Sequence, residues 1–147
     1  MKNVAFKLIG HYLICAYNEF PPTDEDAQVS LEVMRSVDLD KVKCVVFTKG
    51  GGPTAAQRKA TNDVLGGRAF PTAVVSDSPF IRGIITAFGW FNSKIKAFSS
   101  TEIEDAFRYL DIPPSRWDSF VEEAARVQAE VEKPRPPSRT MNGDRRA

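Results

Sequence analysis

The stretch "FTKGGGPTAAQRKA", residues 47–60, puts two lysines, three glycines and two threonines at a single joint. Glycine lets a backbone approach a ligand closely, and free N–H groups at a helix start favour an anion. The same glycines could instead make a tight loop that presents Thr54 to a partner, or serve only as a turn. Nucleotide hydrolysis is not indicated. A P-loop carries Lys-Ser or Lys-Thr directly after its last glycine, and here Lys49 precedes the run. Asp77 and Ser78, taken with the single histidine His11, have the residue types of a hydrolase triad. His11, however, falls in the turn between the first two apolar runs, and Ser78-Pro79 reads as a helix start. Cys15 and Cys44 lie in the apolar runs "YLICAY" and "VKCVVF" and read as reduced, buried thiols. With so few soft ligands and no paired spacing, neither a metal site nor a cofactor is expected, and no residue is assigned a catalytic role.

The elements around these residues follow from the spacing of apolar positions. "NVAFKLIG" and "YLICAYNEF" read as an antiparallel pair. "PPTDEDAQVSLEVMRSV" predicts a helix with Thr23 as N-cap and Ala27, Leu31 and Met34 on its inner face. "KVKCVVFT" is a strand apolar enough to be covered on both faces. Beyond the glycines, Thr54 and Gln57 form a capping box, Ala56, Ala60 and Val64 line one side, and Gly66-Gly67 ends the helix. "FPTAVVSD" is the next strand, followed by a helix carrying Ile81, Ile84, Ile85 and Phe88. "SKIKAFSS" and "STEIEDAFRYL" give a fifth strand and a helix with Ile103, Ala106, Phe107 and Leu110 inward. Ser99 with Glu102 and Thr101 with Glu104 both fit its capping box. After Pro113-Pro114, Ser115 is expected to cap a last helix striped by Trp117, Phe120, Ala124, Val127 and Val131. That stripe suits packing on its own domain, on a second copy or in a partner's groove.

These elements predict an α/β domain over residues 1–112, with about five strands in a mixed sheet, an extra C-terminal helix over 113–133, and a disordered basic tail over 134–147. The tail carries a local charge of +3 in a chain of net +1, which leaves the rest mildly acidic at −2. Such a body is a poor match for nucleic acid. No apolar window is long enough to span a membrane, and "MKNVAFKLIGHYLICAYNEF" lacks a cleavable signal, so a cytoplasmic protein is expected. Phe88, Trp90, Phe91 and Phe98 in "AFGWFNSKIKAF" have the spacing of core aromatics. The alternative is that Trp90 or Phe91, following Gly89 at the end of the third helix, is exposed as an interface anchor.

Residues 70–110 resemble the STAS superfamily, the fold of bacterial anti-sigma-factor antagonists. The likeness is carried by the strand "TAVVSD", a helix with the lone Arg82 one turn in and Gly89 near its end, the strand "IKAFSS", and "TEIEDAFRYL". Element order extends it over residues 3–65. The resemblance implies a non-enzymatic regulatory module that binds a protein partner, with Thr54 at the position of the family's phosphorylated hydroxyl. The chain departs from the family there, since "KGGGPTAA" replaces an aspartate-serine-serine-glycine run. Relatives with this fold also include the lipid-binding SEC14-type group.

Loops leaving parallel strands share one edge of an open α/β sheet, its usual binding edge. The residues expected there are Thr48, Lys49, Gly50, Gly51, Gly52, Thr54, Gln57, Arg58, Asp77, Ser78 and Arg82, with Thr54 as candidate phosphosite. A regulatory protein is the expected partner and a homodimer a further candidate state. The alternative is a small molecule, anion or lipid bound at the same edge. Gly51, in an exposed loop, is expected to accept a bulky side chain without loss of fold.

Overall fold

A computed structural model describes residues 2–88 and 94–132. Gly89, Trp90 and Phe91, whose aromatics read as core or as an interface anchor, and the tail 134–147 lie outside the described residues. Two short apolar runs form β1 (Val4–Ile9) and β2 (Tyr12–Tyr17), paired antiparallel through a tight turn. Gly10 takes a φ of 61° in that turn, a left-handed conformation that favours glycine. The chain then alternates through α1 (Asp24–Ser36), β3 (Lys43–Thr48), α2 (Ala55–Leu65), β4 (Thr72–Val75), α3 (Pro79–Phe88) and β5 (Ile95–Phe98). β2 to β5 are parallel, and the sheet order β1-β2-β3-β4-β5 repeats the chain order. Each crossover therefore advances one strand in the same direction, and right-handed connections put α1, α2 and α3 on one face. The expected mixed five-stranded α/β sheet is present.

Local signals set the helix ends. Thr23 Oγ1 accepts from Asp26 N while Asp26 Oδ2 accepts from Thr23 N, a capping box at the start of α1. Thr54 and Gln57 make the same reciprocal pair for α2. Gly66 ends α2 in the left-handed conformation, and its N–H returns to Asn62 O. Packing on this face is uneven. Met34 of α1 is buried with Leu13, Cys15 and Cys44, whereas Ala27 and Leu31 are half-buried. No residue of α2 is buried, and Ala56, expected inside, is exposed. α2 packs chiefly on α1 and reaches the sheet's core cluster at its end, through half-buried Val64 and Leu65. Ala56 and Ala60 nearer its start look onto open space.

The opposite face is filled. α4 (Ile103–Tyr109) covers β4 and β5, and α5 (Trp117–Glu132) covers β1 and β2. Ala5, Ala16 and Ala73 on the strands leave room for Phe107 and Phe120 from the helices. Tyr12 meets Phe120 edge to face at 5.3 Å, and Phe107 lies 6.1 Å from Phe120. The α5 stripe of Phe120, Ala124, Val127 and Val131 is buried against its own sheet, and no contact with a second copy is needed to cover it. Ser115 does not cap α5. It lies inside a 3-10 turn, Pro114–Arg116, whose Arg116 N–H bonds Pro113 O, so the backbone does what the side chain was expected to do. Among the described residues no helix is long and apolar enough to cross a membrane. Phe120 is 1% exposed, so Phe120→Ala should cost about 3–5 kcal/mol in a urea titration. Val121→Ala, on the exposed side of the same helix, should stay within about 0.5 kcal/mol of wild type.

Candidate functional site

The carboxyl ends of β2 to β5 share an edge with the start of β1 and the end of α5. A buried polar junction ties these ends together. Asn18, 2% exposed just beyond β2, donates from Nδ2 to Asn3 Oδ1 at 2.9 Å and to Val131 O at 3.3 Å. Its Oδ1 accepts from Phe20 N, and its carbonyl accepts from Gly51 N at 2.9 Å. Asp26, also buried, accepts from Asn3 N and Thr23 N through Oδ2. Each buried polar group thus finds a partner, as it must to avoid a penalty of about 1–3 kcal/mol.

The glycine loop is built onto this junction. Thr48 Oγ1 donates to Gly51 O at 2.6 Å and accepts from Gly50 N at 3.1 Å, closing the loop on itself. Gly50 has a φ of 125°, which favours glycine. Gly51 is glycine for another reason: a Cβ there would lie 2.4 Å from both the Asn18 and Phe20 carbonyl oxygens. The expectation that Gly51 tolerates a bulky side chain is therefore overturned, because the loop rests directly on another backbone. Around Gly52 there is open space. Gln57 both caps α2 and donates from Nε2 to Pro22 O at 3.0 Å, latching the helix start to the loop before α1. Arg58 Nη1 donates to Pro53 O at 2.8 Å. Lys49 pairs with Glu132 at the end of α5. Thr54 is exposed.

Asp77, Ser78 and Arg82 form a separate group beside the start of α3. Ser78 Oγ accepts from Ile81 N as the cap. Asp77 Oδ1 accepts from Ser100 N at 2.9 Å, and that bond holds its carboxyl below the usual range, with Ser100's side chain and Arg82 adding to it. Ser99 N bonds Glu102 in the same way and lowers Glu102 likewise, so Ser99–Glu102 is the box that starts the turn into α4. His11 lies in the β1–β2 turn at the other end of β2, away from Asp77 and Ser78.

Between the sheet and α1, α2 and α3 lies an open cavity of about 1020 Å³. Leu13, Cys15, Cys44, Val46 and Val74 form its floor, Leu31 and Leu65 its walls, and Gly50–Gly52 with Arg58 one rim. Of the expected site residues, Thr48, the three glycines, Gln57 and Arg58 line it, whereas Lys49, Thr54, Asp77, Ser78 and Arg82 do not. Burial pushes the Cys44 thiol up to about 12 and holds Cys15 well above the usual thiol range. Tyr17, in contact with Cys15, is raised for the same reason. The floor is therefore uncharged at neutral pH, and its thiols are weak nucleophiles.

Sequence reasoning missed Asn18, Asn3 and Asp26 as the frame of the edge. Only the polar "YNEF" directly after an apolar strand hinted at them. The cavity-facing roles of Cys15, Cys44 and Tyr17 were missed as well. No family model matches the chain, and no curated protein matches it. Among solved structures it is similar to an uncharacterized protein of the DUF3478 family with a SpoIIAA-like fold from Shewanella loihica PV-4. The two are 13% identical, over 75% of this chain and 95% of that one, with a TM-score of 0.54. At that identity the likeness shows the fold alone, and the fold is SpoIIAA-like.

The three glycines should separate by substitution. Gly51→Ala should lower stability by roughly 1–3 kcal/mol through overpacking against the 18–20 backbone. Gly52→Ala should leave the melting temperature near wild type. Equal melting of the two variants would show that the loop does not rest on residues 18–20.

Proposed function

We propose that this chain is a non-enzymatic binding protein that holds a small apolar molecule between its sheet and α2. One observation carries this reading: about 1020 Å³ of open space whose floor and walls are largely apolar. That volume matches the upper end of small-molecule sites, roughly 300–1,000 Å³. An occupant would regain the contacts that the cavity lining now lacks. Uncharged thiols and a half-buried tyrosine in the lining suit a ligand body without charge.

A second reading is docking of a regulatory protein at the carboxyl edge, with phosphorylation of Thr54 as its control. Exposed aromatic side chains favour it, since Phe80 in the first turn of α3 is 75% exposed and Phe20 in the loop after β2 is 47% exposed. The two readings differ in whether the cavity must bind anything. Methyl-resolved NMR during a titration with dodecanol separates them. The cavity reading predicts shifts at Leu31, Val46 and Leu65 while Leu110, Val127 and Val131 on the filled face stay unmoved. Unmoved cavity methyls would leave protein docking as the surviving reading.

A further inference from the structure

We infer that the ligand is a single-chain anionic amphiphile, a long-chain carboxylate, with its head at Arg58 and its chain beneath α2; this rests on the cavity reading above. The charges around the cavity are one-sided. Among the described residues its lining contains two arginines, Arg58 and Arg68, and no lysine, aspartate or glutamate. A cationic head would find no counter-charge in that lining, and an anionic head finds two.

The two arginines are not equivalent. Arg68, just past α2, faces Asp40 at 3.5 Å and is already ion-paired. Among the described residues Arg58 donates one bond, from Nη1 to Pro53 O, and forms no salt bridge. A guanidinium carries five N–H donors in a planar fork that matches a carboxylate. Arg58 therefore keeps donors for a head group at the glycine-loop rim. The neutral polar groups nearby are committed: Thr48 bridges Gly50 and Gly51, and Gln57 is held by Thr54 and Pro22.

Shape points the same way. The lining runs from Gly52 and Arg58 at the start of α2 to Gly67 and Phe70 beyond its end, the full length of an 11-residue helix. That is about 16 Å at the α-helical rise. Between the ends the lining is mainly apolar, with Leu31, Val46 and Leu65 along the way. A long, apolar space with a free cation at one rim fits an extended alkyl chain with one acidic end.

Three probes with the same chain and different heads test this: dodecanoate and dodecylammonium, each titrated calorimetrically below its micelle concentration, and dodecanol, titrated below its solubility limit. Dodecanoate should bind roughly ten-fold tighter than dodecanol, the value of one charge-assisted hydrogen bond, and dodecylammonium should bind weakest. Arg58→Gln should bring dodecanoate down to the affinity of dodecanol and leave dodecanol unchanged. Arg68→Gln should preserve the preference. Equal binding of dodecanoate and dodecanol by the wild type, or a preference that survives Arg58→Gln, would overturn the head assignment while leaving the cavity reading intact. If none of the three binds, the cavity reading itself falls.

Discussion

Asn18 is the point on which the carboxyl edge of the sheet depends. Through one buried side chain and its own carbonyl it joins the start of β1, the loop before α1, the glycine loop and the last turn of α5. Each bond is worth only about 0.5–1.5 kcal/mol net. Their geometric effect is larger. They fix the 18–22 loop as a floor on which Gly51 rests without a side chain, and Gln57 is latched to Pro22 from above. The start of α2 is thus positioned by backbone and amide contacts at the edge. At its far end the helix turns through Gly66 and Gly67, both left-handed. Nothing in this arrangement requires α2 to press side chains into the sheet along its whole length, and it is Val64 and Leu65 at its end that pack there.

The two faces of one sheet show what that freedom does. On the α4/α5 face, small strand residues are matched by Phe107, Phe120 and Trp117 from the helices, and the interior is full. On the α1/α2 face, Cys15, Cys44 and Val46 meet Ala56 and Ala60 across an open gap. Protein interiors are ordinarily close-packed, and lost packing is destabilising in proportion to the void. A stable α4/α5 face can carry an open α1/α2 face. In the proposed reading an apolar occupant would restore the missing contacts, and Arg58 at the rim would give it a direction.

How much of this could be read in the sequence depended on the range of the interaction. The Thr54–Gln57 box is a three-residue pattern, and the α5 stripe repeats at helical spacing, so both were legible. The sheet followed from alternating strands and helices. The three glycines look alike in sequence yet differ in space: Gly50 supplies a positive φ, Gly51 a close approach, and Gly52 neither. Asn18 was illegible because its partners lie 15 and 113 residues away. The cavity was illegible for a related reason. It is a mismatch in size between residues of α2 and strands distant in sequence, and Ala56, Ala60 and Val64 have the spacing of an ordinary buried face. Ser115 shows the reverse error, a good capping residue made redundant by a backbone turn.

In the proposed function the space beneath α2 is unfilled and available to an apolar molecule. Ala60, half-exposed on the cavity wall, gives the most direct access to it. Thermal melting of ligand-free Ala60→Leu, paired with a dodecanol titration, measures both halves of the claim. A larger side chain entering real empty space should stabilise the protein by about 0.5–2 kcal/mol, raise its melting temperature and weaken dodecanol binding. A lowered melting temperature with unchanged dodecanol affinity would mean that the space is already packed and that the ligand, if any, binds elsewhere.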